Sequence, residues 1–344
     1  MAVRAFITGL AGLEISANER AFLRDAEPWG LILFKRNIDT PAQVSALVSS
    51  FRDMVGREAP ILIDQEGGRV QRLAPPHWPA YPPGVRYSEL YDRDRASGLI
   101  AARLGARLIA YDLRELGIDT DCLPLADVPV PGSDNVIGDR AYGTEPAKVA
   151  AIAGAVAEGL LAGGVLPVLK HLPGHGRATA DSHLKLPVVD TDGATLERTD
   201  FAAFRPLADL PLGMTAHVVF SAIDPVQPAT TSVTIVTQVI RGFIGFRGLL
   251  MSDDVSMGAL SGTLAERSRA ALAAGCDIVL HCNGKFDEMM QVAGASPVLS
   301  GAAAKRADAA LMRRAAPQQF DVAEARRMFN ALTGQPPAQT MAKQ

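Results

Sequence analysis

Residues 146–171 read PAKVAAIAGAVAEGLLAGGVLPVLKH. A long amphipathic stretch, 146–162, is followed by a short apolar run, 166–171, and the same alternation extends along the chain in both directions. Further apolar runs fall at 3–8, 29–34, 60–64, 118–126, 212–218, 248–253 and 277–282. Helical stretches lie between them at 41–55, 93–116, 193–208, 232–240 and 264–274, the first with Thr40 as N-cap and Pro41 at the first helical position. Eight short strands alternating with helices are the mark of parallel βαβ units. The runs are apolar without strict alternation, as when both faces of a sheet are covered. Eight such units close on themselves, so an α/β fold is expected: a single-domain (β/α)8 TIM-type barrel over residues 1–333. An open doubly wound sheet is the rival, but no GxGxxG follows the first run.

No Gly/Ser/Pro-rich linker divides the chain. Residues 75–83, Pro-rich and carrying Trp78 and Tyr81, read as a long loop after strand three. The polar end, 334–344, reads as a frayed tail. Of the 344 residues, 48% are hydrophobic and 21% charged, as in a globular protein with a large core. A formal net charge of -3 gives no electrostatic case for nucleic acid or an anionic membrane as partner. Three cysteines, Cys122, Cys276 and Cys282, form no CxxC and point to a reducing compartment. The apolar run within residues 1–15 is broken by Gly9 and Gly12, too early for a signal peptide, and no run is long enough to span a membrane.

Barrel active sites lie at the carboxyl ends of the strands. Four polar clusters fall there: Asp64-Gln65-Glu66 with Arg69; Lys170-His171 leading through Pro173-Gly174-His175-Gly176 to Asp181-Ser182-His183; Thr215-Ala216-His217; and Ser252-Asp253-Asp254. Any one of these is an ordinary solvated strand end, but four at one rim point to a site. Pro173, Gly174 and Gly176 shape an unusual strand exit. The Asp181/His183 spacing suits a carboxylate that orients an imidazole for proton exchange.

The 170–183 stretch resembles the KHFPGHG…DSH signature of glycoside hydrolase family 3, the bacterial β-N-acetylglucosaminidases (β-hexosaminidases) of peptidoglycan recycling. Residues 33–37 (LFKRN), 64–72 (DQEGGRVQR), 136–143 (VIGDRAYG) and 251–257 (MSDDVSM) resemble further family blocks in the family's order. Leu172 replaces the usual Phe, and Arg177 stands where a small or acidic residue is common. The resemblance implies that Asp253 is the nucleophile, His183 the general acid/base and Asp181 its partner. It implies that Asp64, Arg72, Arg140, Lys170 and His171 bind the terminal sugar, with no metal or other cofactor. It also implies a cytoplasmic protein, monomeric by analogy, whose partner is a small GlcNAc-containing muropeptide. The chemistry is workable: imidazole titrates at about 6.5, so beside a carboxylate it can give a proton and later take one back near neutrality.

Other readings stay open on the residues alone. His171, His175, His183, His217 and His281 would serve a metal-dependent hydrolase if they converged. A catalytically silent sugar-binding barrel, a broad β-hexosaminidase and a phosphate-accepting variant also fit. Asp254 competes with Asp253 as nucleophile, and Glu66, His175 and Asp254 compete with His183 as proton donor.

Overall fold

The computed structural model describes residues 2–335, so the expected frayed tail lies almost wholly outside the described residues. Eight strands form one closed barrel: β1 (Arg4–Thr8), β2 (Pro28–Leu33), β3 (Ile61–Ile63), β4 (Thr120–Asp121), β5 (Leu166–Leu172), β6 (Leu212–Thr215), β7 (Leu249–Asp254) and β8 (Ile278–His281). Each pairs in parallel with its sequence neighbours, and β8 closes onto β1 through the register Phe6–Val279, Ile7–Leu280 and Thr8–His281. The (β/α)8 expectation therefore holds.

Successive side chains of a strand point to opposite faces, which gives this barrel two cores. Ile7, Ile32, Leu62, Val168, Met214, Met251 and Leu280 pack in the inner cluster. Their neighbours Phe6, Leu31, Leu33, Ile61, Ile63, Leu169, Leu250 and Val279 pack outward under the helices. Ala307 and Ala310 of a late helix (Gly301–Met312) join the inner cluster and cover its base. Side chains fill the barrel, so only its upper rim is left for chemistry.

Several elements differ from the sequence reading. The run 118–126 is not one continuous strand. After Asp121 it rejoins the sheet at an isolated Leu125–Lys170 bridge, because Pro124 has no N–H to give the ladder. The stretch 93–116 breaks at Asp94, which turns extended (φ -154°) and caps the helix Arg95–Arg114 by accepting the Ser97 N–H at 2.9 Å. A helix not foreseen, Gly84–Arg93, precedes it, directly after the Pro-rich loop. The stretch 193–208 is helical only over Gly193–Arg198 and continues as short 3-10 turns. The stretch 232–240 is a π-helix over Ile235–Phe243. Helices Ala17–Ala26, Phe286–Ala295, Gly301–Met312 and Val322–Thr333 were also unread. Thr40 caps Pro41–Val55 as expected. Among the described residues no helix is long and apolar enough to cross a membrane.

Candidate active site

The loop after β3 folds into a small hairpin, Gln65–Gly67 against Val70–Gln71. Gly67 sits at φ +93°, and a Cβ there would lie 2.3 Å from the Pro82 carbonyl oxygen, so the turn needs glycine. The Gln65 side chain accepts the N–H groups of Arg72 (3.0 Å) and Leu73 (2.9 Å), which folds Arg72 back over Asp64. Arg72 Nη2 donates to Asp64 Oδ2 at 2.9 Å, and its guanidinium also lies 5.1 Å from the Phe34 ring centre.

Lys170, at the end of β5 and 2% exposed, reaches this group from below. Its Nζ lies 3.0 Å from Asp64 Oδ1 and 2.7 Å from Glu66 Oε1. Arg140 grips Glu66 with two bonds, Nε to Oε2 at 2.8 Å and Nη2 to Oε1 at 2.7 Å. Burial alone would push both carboxyl groups up. Lys170 with Arg72 outweighs it and holds Asp64 far below the usual range, while Lys170 with Arg140 brings Glu66 down to about 2. Both carboxyl groups are therefore ionised at neutral pH. Asp121 lies beneath them, fully buried; its Oδ1 accepts the Gln65 N–H at 3.0 Å, and burial pushes its carboxyl well above the ordinary value.

His171, the residue after Lys170, is fixed by Asp127, whose Oδ2 lies 2.7 Å from the ring Nδ1. Asp127 Oδ1 also accepts the backbone N–H of His175 at 2.7 Å, so one buried carboxylate shapes the whole strand exit. Gly176 is needed there, since a Cβ would fall 2.1 Å from the Val128 carbonyl oxygen. Farther along the loop Asp181 Oδ1 lies 2.7 Å from His183 Nδ1 and 2.9 Å from its backbone N. The His183 side chain is 64% exposed, so the dyad forms on the rim. Burial raises the Asp181 carboxyl, but the His183 backbone and side-chain bonds more than offset it and hold it below its ordinary value.

The two candidate nucleophiles are unlike. Asp254 is fully engaged: Oδ1 accepts the N–H groups of Ser256 (3.0 Å) and Cys282 (3.2 Å), and Oδ2 accepts the Ser256 hydroxyl at 2.6 Å. Asp253 accepts only the Asp254 N–H, at 2.8 Å, and no side chain among the described residues bonds to it. Burial raises the Asp253 carboxyl, but His217, His171 and His183 counter this and leave it below its ordinary value. His217, fully buried, has Nε2 3.0 Å from the Asp254 carbonyl oxygen and Nδ1 2.7 Å from Thr230 Oγ1. A carbonyl only accepts, so Nε2 carries a proton, and burial favours the neutral ring. Burial lowers its basicity in keeping with that state.

The sequence-predicted residues Asp64, Arg72, Arg140 and Lys170 thus form one charged cage, and His171 and Asp253 share the mouth with it. Asp181 and His183 stand together on a loop above. Sequence reasoning missed Asp127 and Asp121, and placed Glu66 only as a stand-in proton donor. The five histidines do not converge: His175 bonds to Ser182, His281 faces Glu288, and the other three have the separate partners above. Among the described residues no group of three or more His, Cys, Asp or Glu side chains is placed to hold a metal ion.

Residues 3–313 match the model of the glycosyl hydrolase family 3 N terminal domain. The chain belongs to glycosyl hydrolase family 3. It is 40% identical over 289 residues to a β-hexosaminidase of Alkalilimnicola ehrlichii, covering 82% of each chain. NagZ from Neisseria gonorrhoeae, solved in complex with zinc ion, superposes with a TM-score of 0.83 at 29% identity, over 97% of both chains. A family 3 β-N-acetylglucosaminidase from Paenibacillus gives a TM-score of 0.84 at 28% identity, covering 96% of this chain and 66% of that longer one. The two departures from the family pattern are absorbed locally. Leu172 is fully buried in the outer core, and Arg177 donates to the buried Asp200 at 2.6 Å, away from the charged cage.

Proposed function

We propose that this family 3 protein is a retaining exo-β-N-acetylglucosaminidase that removes terminal β-linked GlcNAc from peptidoglycan fragments such as GlcNAc-1,6-anhydro-MurNAc, with or without peptide. Asp253 attacks the anomeric carbon, and His183, oriented by Asp181, protonates the leaving oxygen and then activates water. The observation that carries this reading is the contrast between the two neighbouring acids. Asp253 is held below its ordinary pKa and no side chain among the described residues bonds to it, while Asp254 already accepts two backbone N–H groups and the Ser256 hydroxyl.

The cage of Asp64, Arg72, Arg140 and Lys170, with His171, suits the hydroxyls of a terminal sugar. Fixed charges give strong directional donors and acceptors, and their mutual pairing means that no reorganisation is needed on binding. Such a cage would hold the terminal residue of a chain, as exo action requires. The names and activities of the relatives support the N-acetylhexosamine specificity. The buried, unpaired thiols of Cys122 and Cys276 accord with a reducing cytoplasm, where such fragments would be recycled by a monomeric enzyme.

Product analysis tests the reading. GlcNAc-1,6-anhydro-MurNAc is supplied beside a simple aryl β-N-acetylglucosaminide, and the first-formed sugar is followed by proton NMR. Double displacement gives free GlcNAc with the β-anomer appearing first from both substrates. An α-anomer at the earliest time points removes Asp253 as nucleophile. Turnover of the aryl glycoside alone removes the muropeptide specificity.

A further inference from the structure

The loop that carries His183 is tied down at several points, and one of them sits inside the dyad. Between the part-exposed Asp181 and the exposed His183, Ser182 is 3% exposed. Its Oγ lies 3.0 Å from His175 Nε2. His175 is itself 3% exposed, and its other ring nitrogen, Nδ1, is buried with no partner among the described residues. Among the described residues Ser182 is thus the only polar anchor of that ring. His175 is fixed from behind by its backbone N–H to Asp127, the carboxylate that also orients His171.

Burial keeps His175 neutral, lowering it to about 4, so the contact is one neutral hydrogen bond in a dry setting. On the far side the backbone is pinned to the loop after β7: Gly258 N donates to the His183 carbonyl and Ala259 N to the Ser182 carbonyl, both at 3.1 Å. Gly258 has to be glycine for this approach, because a Cβ would lie 2.9 Å from the His183 carbonyl oxygen. Among the described residues the His183 side chain hydrogen-bonds only to Asp181. Its place at the rim is therefore set by the backbone ties at 182–183 and by the Ser182 hydroxyl.

Resting on His183 as acid/base, we infer that Ser182 is the positioning residue of the dyad. Acting through His175 and Asp127, it couples the wall of the sugar site to the height of the imidazole above the leaving oxygen. Asp181 sets the direction of the ring, and Ser182 sets where the dyad stands. Loss of the hydroxyl leaves the loop attached by its backbone but lets the imidazole drift from hydrogen-bond reach of the glycosidic oxygen, and general acid help depends steeply on such geometry.

The experiment compares Ser182→Ala with His183→Ala on two substrates, a disaccharide that leaves as a high-pKa alkoxide and a dinitrophenyl glycoside that leaves unaided. General acid catalysis is worth about 10²–10⁴-fold, so partial misplacement in Ser182→Ala costs on the order of tenfold in kcat on the disaccharide. KM and the glycosylation rate on the dinitrophenyl glycoside stay as in the parent, which also shows that the variant is folded. Equal rates on both substrates, or an equal fall on both, overturn the inference, the latter marking Ser182 as structural only. If His183→Ala itself fails to separate the two substrates, the acid/base reading has failed; if it separates them and Ser182→Ala does not, only the positioning role has.

Discussion

Asp253→Ala abolishes turnover of every glycoside, activated ones included, by on the order of 10⁴-fold or more, as expected when the group that forms the covalent intermediate is removed. A good leaving group does not rescue it, because the missing step is bond formation at the anomeric carbon. Asp254→Ala gives the opposite profile. It deletes the acceptor for two backbone N–H groups and the Ser256 hydroxyl, so it destabilises the protein by about 1–3 kcal/mol, while the folded fraction keeps most of its activity. Steady-state rates and thermal melts of the two variants check this. Azide adds a stereochemical readout: filling the space left in Asp253→Ala, it attacks from the face opposite the leaving group and yields the α-glycosyl azide.

His183→Ala separates substrates by leaving group. A disaccharide needs a proton on its departing oxygen and loses about 10²–10⁴-fold. A dinitrophenyl glycoside keeps much of its glycosylation rate, and hydrolysis of the intermediate becomes limiting because no imidazole activates water. Azide needs no general base, so here it restores turnover and attacks the glycosyl-enzyme to give the β-glycosyl azide. The two variants thus return azides of opposite configuration. Asp181→Asn shows a weaker form of the same pattern, since the ring remains but its Nδ1 partner at 2.7 Å no longer carries charge. An equal loss on both substrates with no azide effect would move the proton donor elsewhere, to Glu66, His175 or Asp254. Of these, Glu66 is held ionised at about 2 by Lys170 and Arg140, so it lacks a proton to give.

The barrel was legible because eight buried runs stand out against amphipathic neighbours, and apart from the fourth strand their bounds moved by no more than three residues. The helices Phe286–Ala295, Gly301–Met312 and Val322–Thr333 were not, because beyond the eighth strand nothing in the alternation says how many further helices cover the barrel. At the site, strand-end residues such as Asp64, Lys170 and Asp253 announce themselves by position. Pairings do not: Glu66 and Arg140 are 74 residues apart, and nothing local to either names the other. Asp127 was hidden for a different reason. It stands one residue beyond the run 118–126, after the broken fourth strand, and its role is visible only when β5 lies beside it. Asp253 was preferred to its neighbour on resemblance; the physical ground, that Asp254 spends its oxygens on Ser256 and Cys282, needed coordinates.

The central claim is that the sugar becomes bonded to Asp253. It is tested most directly by incubating the protein with a fluorinated N-acetylglucosaminyl donor whose glycosyl-enzyme turns over slowly, then digesting and sequencing the labelled peptide by mass spectrometry. The account predicts one added sugar per chain, on Asp253, absent from Asp253→Ala and still formed by His183→Ala. A label on Asp254, Glu66 or His183, or full turnover with no labelled chain at any time, would contradict it.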